Sequence, residues 1–169
     1  IHLYCLAVSR KKADGSNLDP NKRNDFPFHI RHFTSDDEGL SWKDEGCFMQ
    51  VEKDLFGKFR TIWSGSVHPS PSGEKIAAFT GILDIDSEHR YLQTIALAVS
   101  NDGYKINRFQ REELSSPIKN YHEIIRKGYY FDSKDKLGNN KGEENGPIMA
   151  WRDPYVFFDK SYELNLFWA

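Results

Sequence analysis

The chain has 169 residues, of which 38% are hydrophobic and 28% are charged, and its 23 basic and 25 acidic residues give a formal net charge of −2. This composition excludes a mainly disordered chain, and the charge balance offers neither a nucleic-acid footprint nor a polybasic membrane anchor. No apolar run approaches the roughly 20 residues that a membrane-spanning helix needs. From the charge balance we therefore expect no nucleic-acid partner, and from the charge balance and the short apolar runs together we expect no membrane partner.

Short apolar segments bounded by turn residues predict a chain built mainly from strands. The aromatic content of 14% favours strands as well. The candidate strands are 2–9, 28–35, 47–51, 60–67, 75–83, 94–100, 107–112, 152–158 and 162–168. Only 121–127 shows helical spacing, and 132–145 is polar and glycine-rich, which predicts a surface loop.

The two cysteines, Cys5 and Cys47, are too few for a disulfide framework and lack the spacing of a zinc site. We expect buried thiols or a single bridge. The chain begins at Ile1 and ends at Ala169, each in or beside a strand-like run, so we also expect it to be part of a longer protein.

Three apolar segments form a weak internal repeat: HLYCLAV at His2, KIAAFTG at Lys75 and ELNLFWA at Glu163, which start 73 and 88 residues apart. Each belongs to a unit of short strands, and four antiparallel strands per unit is the pattern of a propeller blade. The repeat predicts the end of one blade in 1–55, a complete blade in 56–115, a connecting loop in 116–150 and the start of a further blade in 151–169.

Arg152-Asp153-Pro154 lies directly before an apolar strand. Pro154 is expected to restrict Asp153 to an extended backbone and so to fix a carboxylate beside the guanidinium of Arg152. Taken alone, the tripeptide is more typical of an Asp-Pro turn with a surface charge pair, because Asp-Pro commonly starts turns.

Trp63-Ser64-Gly65-Ser66 occupies the corresponding place in the preceding unit. Trp63 offers a flat platform for a sugar, and Ser64 can donate and accept hydrogen bonds. The alternative is a core tryptophan beside a β-bulge. Because both segments would be the innermost strands of successive blades, we expect Trp63 and Ser64 to converge with Arg152 and Asp153 at one central pocket.

The order WSGS, KIAAFTG, QTIALAVSNDG and WRDPYVF resembles the five-bladed β-propeller enzymes of glycoside hydrolase families 68 and 32, which include levansucrases, inulosucrases, invertases and fructanases. WSGS followed by the Trp-Arg-Asp-Pro strand is more similar to the levansucrase type. The resemblance implies an all-β, five-bladed propeller, of which this chain supplies about two blades.

The resemblance also implies a retaining enzyme that acts on β-fructosides such as sucrose or fructans, without a cofactor. Asp153 matches the transition-state stabiliser, Arg152 a substrate-binding arginine, and Trp63 and Ser64 the residues that hold the fructosyl unit. The nucleophile and the acid/base of the family would lie before Ile1 and after Ala169, so the chain depends on the remainder of the propeller.

Three further expectations concern metal, substrate and location. Pro147 stands where calcium-bearing levansucrases carry an acidic ligand, and His29 and His32 would lie on opposite faces of a strand, so no metal site is expected. Asp84 and Asp86 are expected on a loop at the rim. The resemblance favours an extracellular protein.

Two alternatives for the function remain open. One is an arabinan- or xylan-acting hydrolase of the same architecture, and the other is a non-catalytic carbohydrate-binding propeller.

Overall fold

The computed structural model describes residues 1–51, 59–85, 88–110, 112–131, 133–138 and 150–169. Within them the chain forms three antiparallel sheets in succession, which confirms the prediction of an all-β protein. None of the described helices has the length and apolar character that crossing a bilayer requires.

The first sheet consists of β1 (His2–Val8), β2 (Phe28–Thr34) and β3 (Lys43–Gln50) in the order of the chain. The register pairs Leu6 with Ile30 and continues along the whole length of β1. The connection between β1 and β2 contains a 3₁₀ helix, Pro20–Asp25, whose first turn is capped by a side chain oxygen of Asp19.

The second sheet is a four-stranded meander of β4 (Phe59–Pro69), β5 (Lys75–Leu83), β6 (Gln93–Ser100) and β7 (Arg108–Phe109). β5 and β6 are buried along most of their length. Their near-continuous apolar sequences follow from this position, because a strand covered on both faces has no solvent side to make polar.

The third sheet pairs β8 (Tyr155–Phe158) with β9 (Leu164–Phe167). Between the second and third sheets lie helix α1 (Tyr121–Arg126), as the helical spacing predicted, and a 3₁₀ turn at Lys134–Lys136. Most of the predicted loop 132–145 lies outside the described residues.

The β4 strand contacts all three sheets, since it pairs with β5 and also packs against β8, β2 and β1. Consecutive antiparallel sheets that meet along an edge strand are consistent with part of a propeller. The core runs between the sheets and includes Phe48, Ile62, Phe79 and Ile95, each nearly inaccessible to water.

Two expectations about individual residues are wrong. Cys47 is exposed and Cys5 is half-buried, and neither takes part in a disulfide, so they form neither a bridge nor a buried pair. Asp153 does not have an extended backbone, because its φ is +54°, and the strand predicted to begin at Arg152 begins instead at Tyr155.

Candidate functional site

A β-bulge in β4 determines where Ser64 points. Trp63 pairs with Thr80 and Gly65 pairs with Phe79, so Ser64 is an extra residue in β4 that has no register partner in β5. In a regular strand, consecutive side chains lie on opposite faces. The bulge removes that alternation, and Trp63 and Ser64 both line the same cavity.

Gly65 allows this bulge to lie close against β5. A Cβ atom at position 65 would be 1.9 Å from the carbonyl oxygen of Ala78 and 2.7 Å from the Cα of Phe79. Only a residue without a side chain permits such a close approach of two backbones. The bulge that the sequence suggested as a purely structural alternative is therefore present, and it forms part of the site.

The segment that carries Asp153 is attached to the second sheet through side chains. Three of its backbone N–H groups donate to side-chain oxygens, one from each of three neighbouring strands: Trp151 to Gln93 Oε1 at 2.9 Å, Asp153 to Thr80 Oγ1 at 2.9 Å and Val156 to Ser66 Oγ at 2.7 Å. These bonds join residues 58 to 90 positions apart in the chain. They fix the segment from Trp151 to the first residues of β8.

The carboxylate of Asp153 lies within reach of two predicted partners. The hydroxyl of Ser64 donates a 2.6 Å hydrogen bond to Oδ1, and Nε of Arg152 is 3.5 Å from Oδ2. About half of the Asp153 side chain remains exposed, so the carboxylate keeps accepting positions for a ligand. The left-handed backbone of Asp153 costs roughly 1–3 kcal/mol and persists because its surroundings hold it.

Trp63, Ser64, Arg152 and Asp153 line a single cavity of about 300 Å³. The sequence predicted this convergence, although residues 64 and 153 are 89 positions apart. The remaining walls were not predicted: Leu6, Arg23, Asn24 and Phe28. Asp153 is the only carboxylate that the described part of the chain contributes to this cavity.

Arg23 and Asn24 belong to the 3₁₀ helix between β1 and β2, which is tied to the second sheet. Arg60 donates to the backbone carbonyls of Asn24 and Arg90, and Arg90 forms a 3.0 Å ion pair with Asp25. Burial lowers the pKa of the Arg60 guanidinium, and the charge of Arg90 acts in the same direction. Local sequence does not predict this wall, because Arg60 and Asn24 are 36 positions apart in the chain.

An aromatic contact supports the tryptophan wall. The ring of Tyr91 lies 6.1 Å from that of Trp63, and the guanidinium of Arg60 lies 5.9 Å from the Tyr91 ring. The indole is half-buried, so one part packs on protein while another part faces the cavity. The contact with Tyr91 therefore supports the Trp63 ring at one wall of the cavity.

The other candidate residues lie elsewhere or outside the described part of the chain. Asp84 is exposed and does not line the cavity. Asp86 and Pro147 fall outside the described residues. His32 is fully buried and stacks on Tyr4 with ring centroids 4.7 Å apart. No group of three metal-ligating side chains occurs among the residues that the structure describes.

A larger cavity of about 490 Å³ lies between α1 and the third sheet. Its walls are mainly aromatic and aliphatic, and the carboxylate of Glu123 in this wall forms a 3.1 Å ion pair with Lys127. The smaller cavity is the better candidate for chemistry because a carboxylate, a hydroxyl, a guanidinium and an indole converge there.

Comparison with known proteins gives one similar solved structure, an inulosucrase from Halalkalicoccus jeotgali bound to kestose. The identity is 23% and the TM-score is 0.47, and the match covers 88% of this chain and 34% of the inulosucrase chain. The present chain thus spans about a third of that protein. No family model matches it, and no match is found among the curated proteins.

Proposed function

We propose that this chain is part of a retaining β-fructoside-processing enzyme, a glycoside hydrolase or fructosyltransferase that acts on sucrose or a fructan. The observation that supports the proposal is the convergence of Trp63, Ser64, Arg152 and Asp153 on one cavity. The 2.6 Å hydrogen bond between Ser64 and Asp153 joins the two motifs that carry the family resemblance.

In this proposal Asp153 accepts hydrogen bonds from fructosyl hydroxyls and stabilises the positive charge that develops at the anomeric carbon. Ser64 fixes the orientation of the carboxylate through Oδ1, and the Arg152 guanidinium supplies further donors beside Oδ2. Trp63 provides the face on which the sugar ring lies. No cofactor is required, because carboxylates supply the charge stabilisation.

Two further carboxylates, a nucleophile and an acid/base, would come from the rest of the propeller and stand about 5–5.5 Å apart. The remainder of the propeller is therefore a partner in the proposed activity. An extracellular location follows from the family resemblance alone and belongs to the same proposal.

The test is the substitution Asp153→Asn in the intact protein that contains this chain. Asparagine has nearly the same shape, tolerates a positive φ and can still accept from Ser64. We expect the turnover of sucrose to fall about 100-fold or more. Asp84→Asn is the matched control, since Asp84 is exposed and outside the cavity. Unchanged turnover in Asp153→Asn would exclude the proposed role.

A non-catalytic carbohydrate-binding propeller is the second candidate, favoured by the single carboxylate in the described walls of the cavity. This candidate predicts sugar binding by calorimetry without release of glucose from sucrose. A panel of furanosides separates the remaining alternative, because an arabinan- or xylan-acting hydrolase would release the pentose and leave sucrose intact.

A further inference from the structure

The hydroxyl of Thr80 bridges the two halves of the candidate site. Thr80 lies on β5 and is completely inaccessible to water. Its Oγ1 donates a 3.1 Å hydrogen bond to the backbone carbonyl of Ser64 and accepts a 2.9 Å hydrogen bond from the backbone N–H of Asp153. One buried atom therefore holds the backbones of both residues whose side chains bond each other at 2.6 Å.

This bridge acts at the point where the backbone departs from regular structure. Ser64 is the extra residue of the bulge in β4, and Asp153 has a φ of +54° immediately before a proline. Ser64 has no register partner in β5, and Asp153 lies before the start of β8. Such conformations persist only where the surroundings over-determine them, and the Thr80 hydroxyl supplies a bond to each.

We propose that Thr80 is a positioning residue of the site, which sets the location of the Asp153 carboxylate relative to Ser64 without touching the substrate. This inference rests on the proposed function, because the location of the carboxylate matters only if Asp153 acts on the sugar. Positioning predicts an effect on kcat, since a misplacement of about 1 Å can reduce turnover on the order of 100-fold.

The first experiment compares Thr80→Val with Thr80→Ser in the intact protein, with sucrose as substrate. Valine keeps the volume and the β-branch but removes the hydroxyl, whereas serine keeps the hydroxyl. We expect Thr80→Val to lower kcat about 10- to 100-fold with KM changed less than about threefold. Thr80→Ser is expected to recover most of kcat.

Thr94→Val is the matched control. Thr94 lies on β6, is as deeply buried as Thr80, and donates a 2.7 Å hydrogen bond to the carbonyl of Ser115. Its loss should lower the thermal midpoint about as much as Thr80→Val does but leave kcat within about twofold. An equal loss of kcat in both valine variants would show a general structural effect and overturn the proposal.

A double-mutant cycle with Asp153→Asn completes the test. If Thr80 acts through the carboxylate, Thr80→Val should reduce kcat little further once Asp153 is asparagine. Additive losses would overturn the positioning role. If Asp153→Asn alone leaves turnover intact, the proposed function fails; if it reduces turnover while Thr80→Val does not, only the role of Thr80 fails.

Discussion

Gly65→Ala tests whether the bulge in β4 requires a residue without a side chain where β4 lies close against β5. The added methyl group would lie 1.9 Å from the carbonyl oxygen of Ala78, whereas an ordinary carbon–oxygen contact is about 3.3 Å or longer. All three of its nearest neighbours are backbone atoms of β5. No side-chain rotation can therefore relieve the overlap, and the two strands must separate by about 1 Å or more.

Separation by that distance lengthens the neighbouring ladder hydrogen bonds beyond bonding range. Losing two of them costs about 1 kcal/mol each, and the overpacking itself adds about 1–3 kcal/mol. We expect the free energy of unfolding to fall by about 3–5 kcal/mol, a large part of the roughly 5–15 kcal/mol that stabilises a typical domain. Urea denaturation of the intact protein, followed by tryptophan fluorescence, measures the loss.

Gly81→Ala is the control, since Gly81 is also a strand glycine in the second sheet. A Cβ atom there would lie 2.6 Å from a ring carbon of Phe59, and its three nearest neighbours all belong to that side chain. The ring can move, so a smaller loss of about 1–2 kcal/mol is expected. If Gly65→Ala proves no more destabilising than Gly81→Ala, the account of the bulge is wrong.

Two further predictions concern a histidine and a thiol in the first sheet. Burial, reinforced by the charge of neighbouring His2, lowers the pKa of His32, so the unfolded chain binds a proton more readily than the folded protein. The free energy of unfolding should therefore fall as the pH decreases from about 7 to 5, and His32 contributes at most about 1.4 kcal/mol per pH unit to this fall. The substitution His32→Phe should remove that contribution. Equal pH slopes of the free energy of unfolding in the original protein and in His32→Phe would contradict the prediction. Iodoacetamide should label the exposed Cys47 of the native protein before the half-buried Cys5, as read by peptide mass spectrometry, and the reverse order would refute the placement of the two thiols.

The strands were largely predictable because their signals are local. Alternating or continuous apolar residues between turn residues predicted most of them within a few positions, and β5 was predicted with the observed bounds, Lys75–Leu83. The exceptions are strands whose ends depend on pairing with residues distant in the chain. The predicted strand 107–112 is reduced to Arg108–Phe109, which pair with Val99 and Ala98 of β6.

The residues that line the cavity differ in the same way, because some belong to local motifs and others depend on distant contacts. Trp63, Ser64, Arg152 and Asp153 could be predicted because each pair belongs to a recognisable motif and the repeat placed both motifs at equivalent positions. Arg23 and Asn24 could not, because their position depends on Arg60, which binds the Asn24 carbonyl from 36 residues away. Nothing in the local sequence of the 3₁₀ helix indicates that contact.

The backbone of Asp153 shows how the predicted convergence of side chains can occur although a local rule fails. A proline disfavours the helical region for the residue before it, which predicted an extended Asp153. In an extended strand, however, Arg152 and Asp153 would point to opposite faces, and only one could reach the cavity. The positive φ of Asp153 and the bulge at Ser64 perform the same task in the two motifs, because each brings two consecutive side chains to one cavity. The 2.6 Å bond between Ser64 and Asp153 therefore depends on both departures from regular structure, and an extended backbone at either residue should break it.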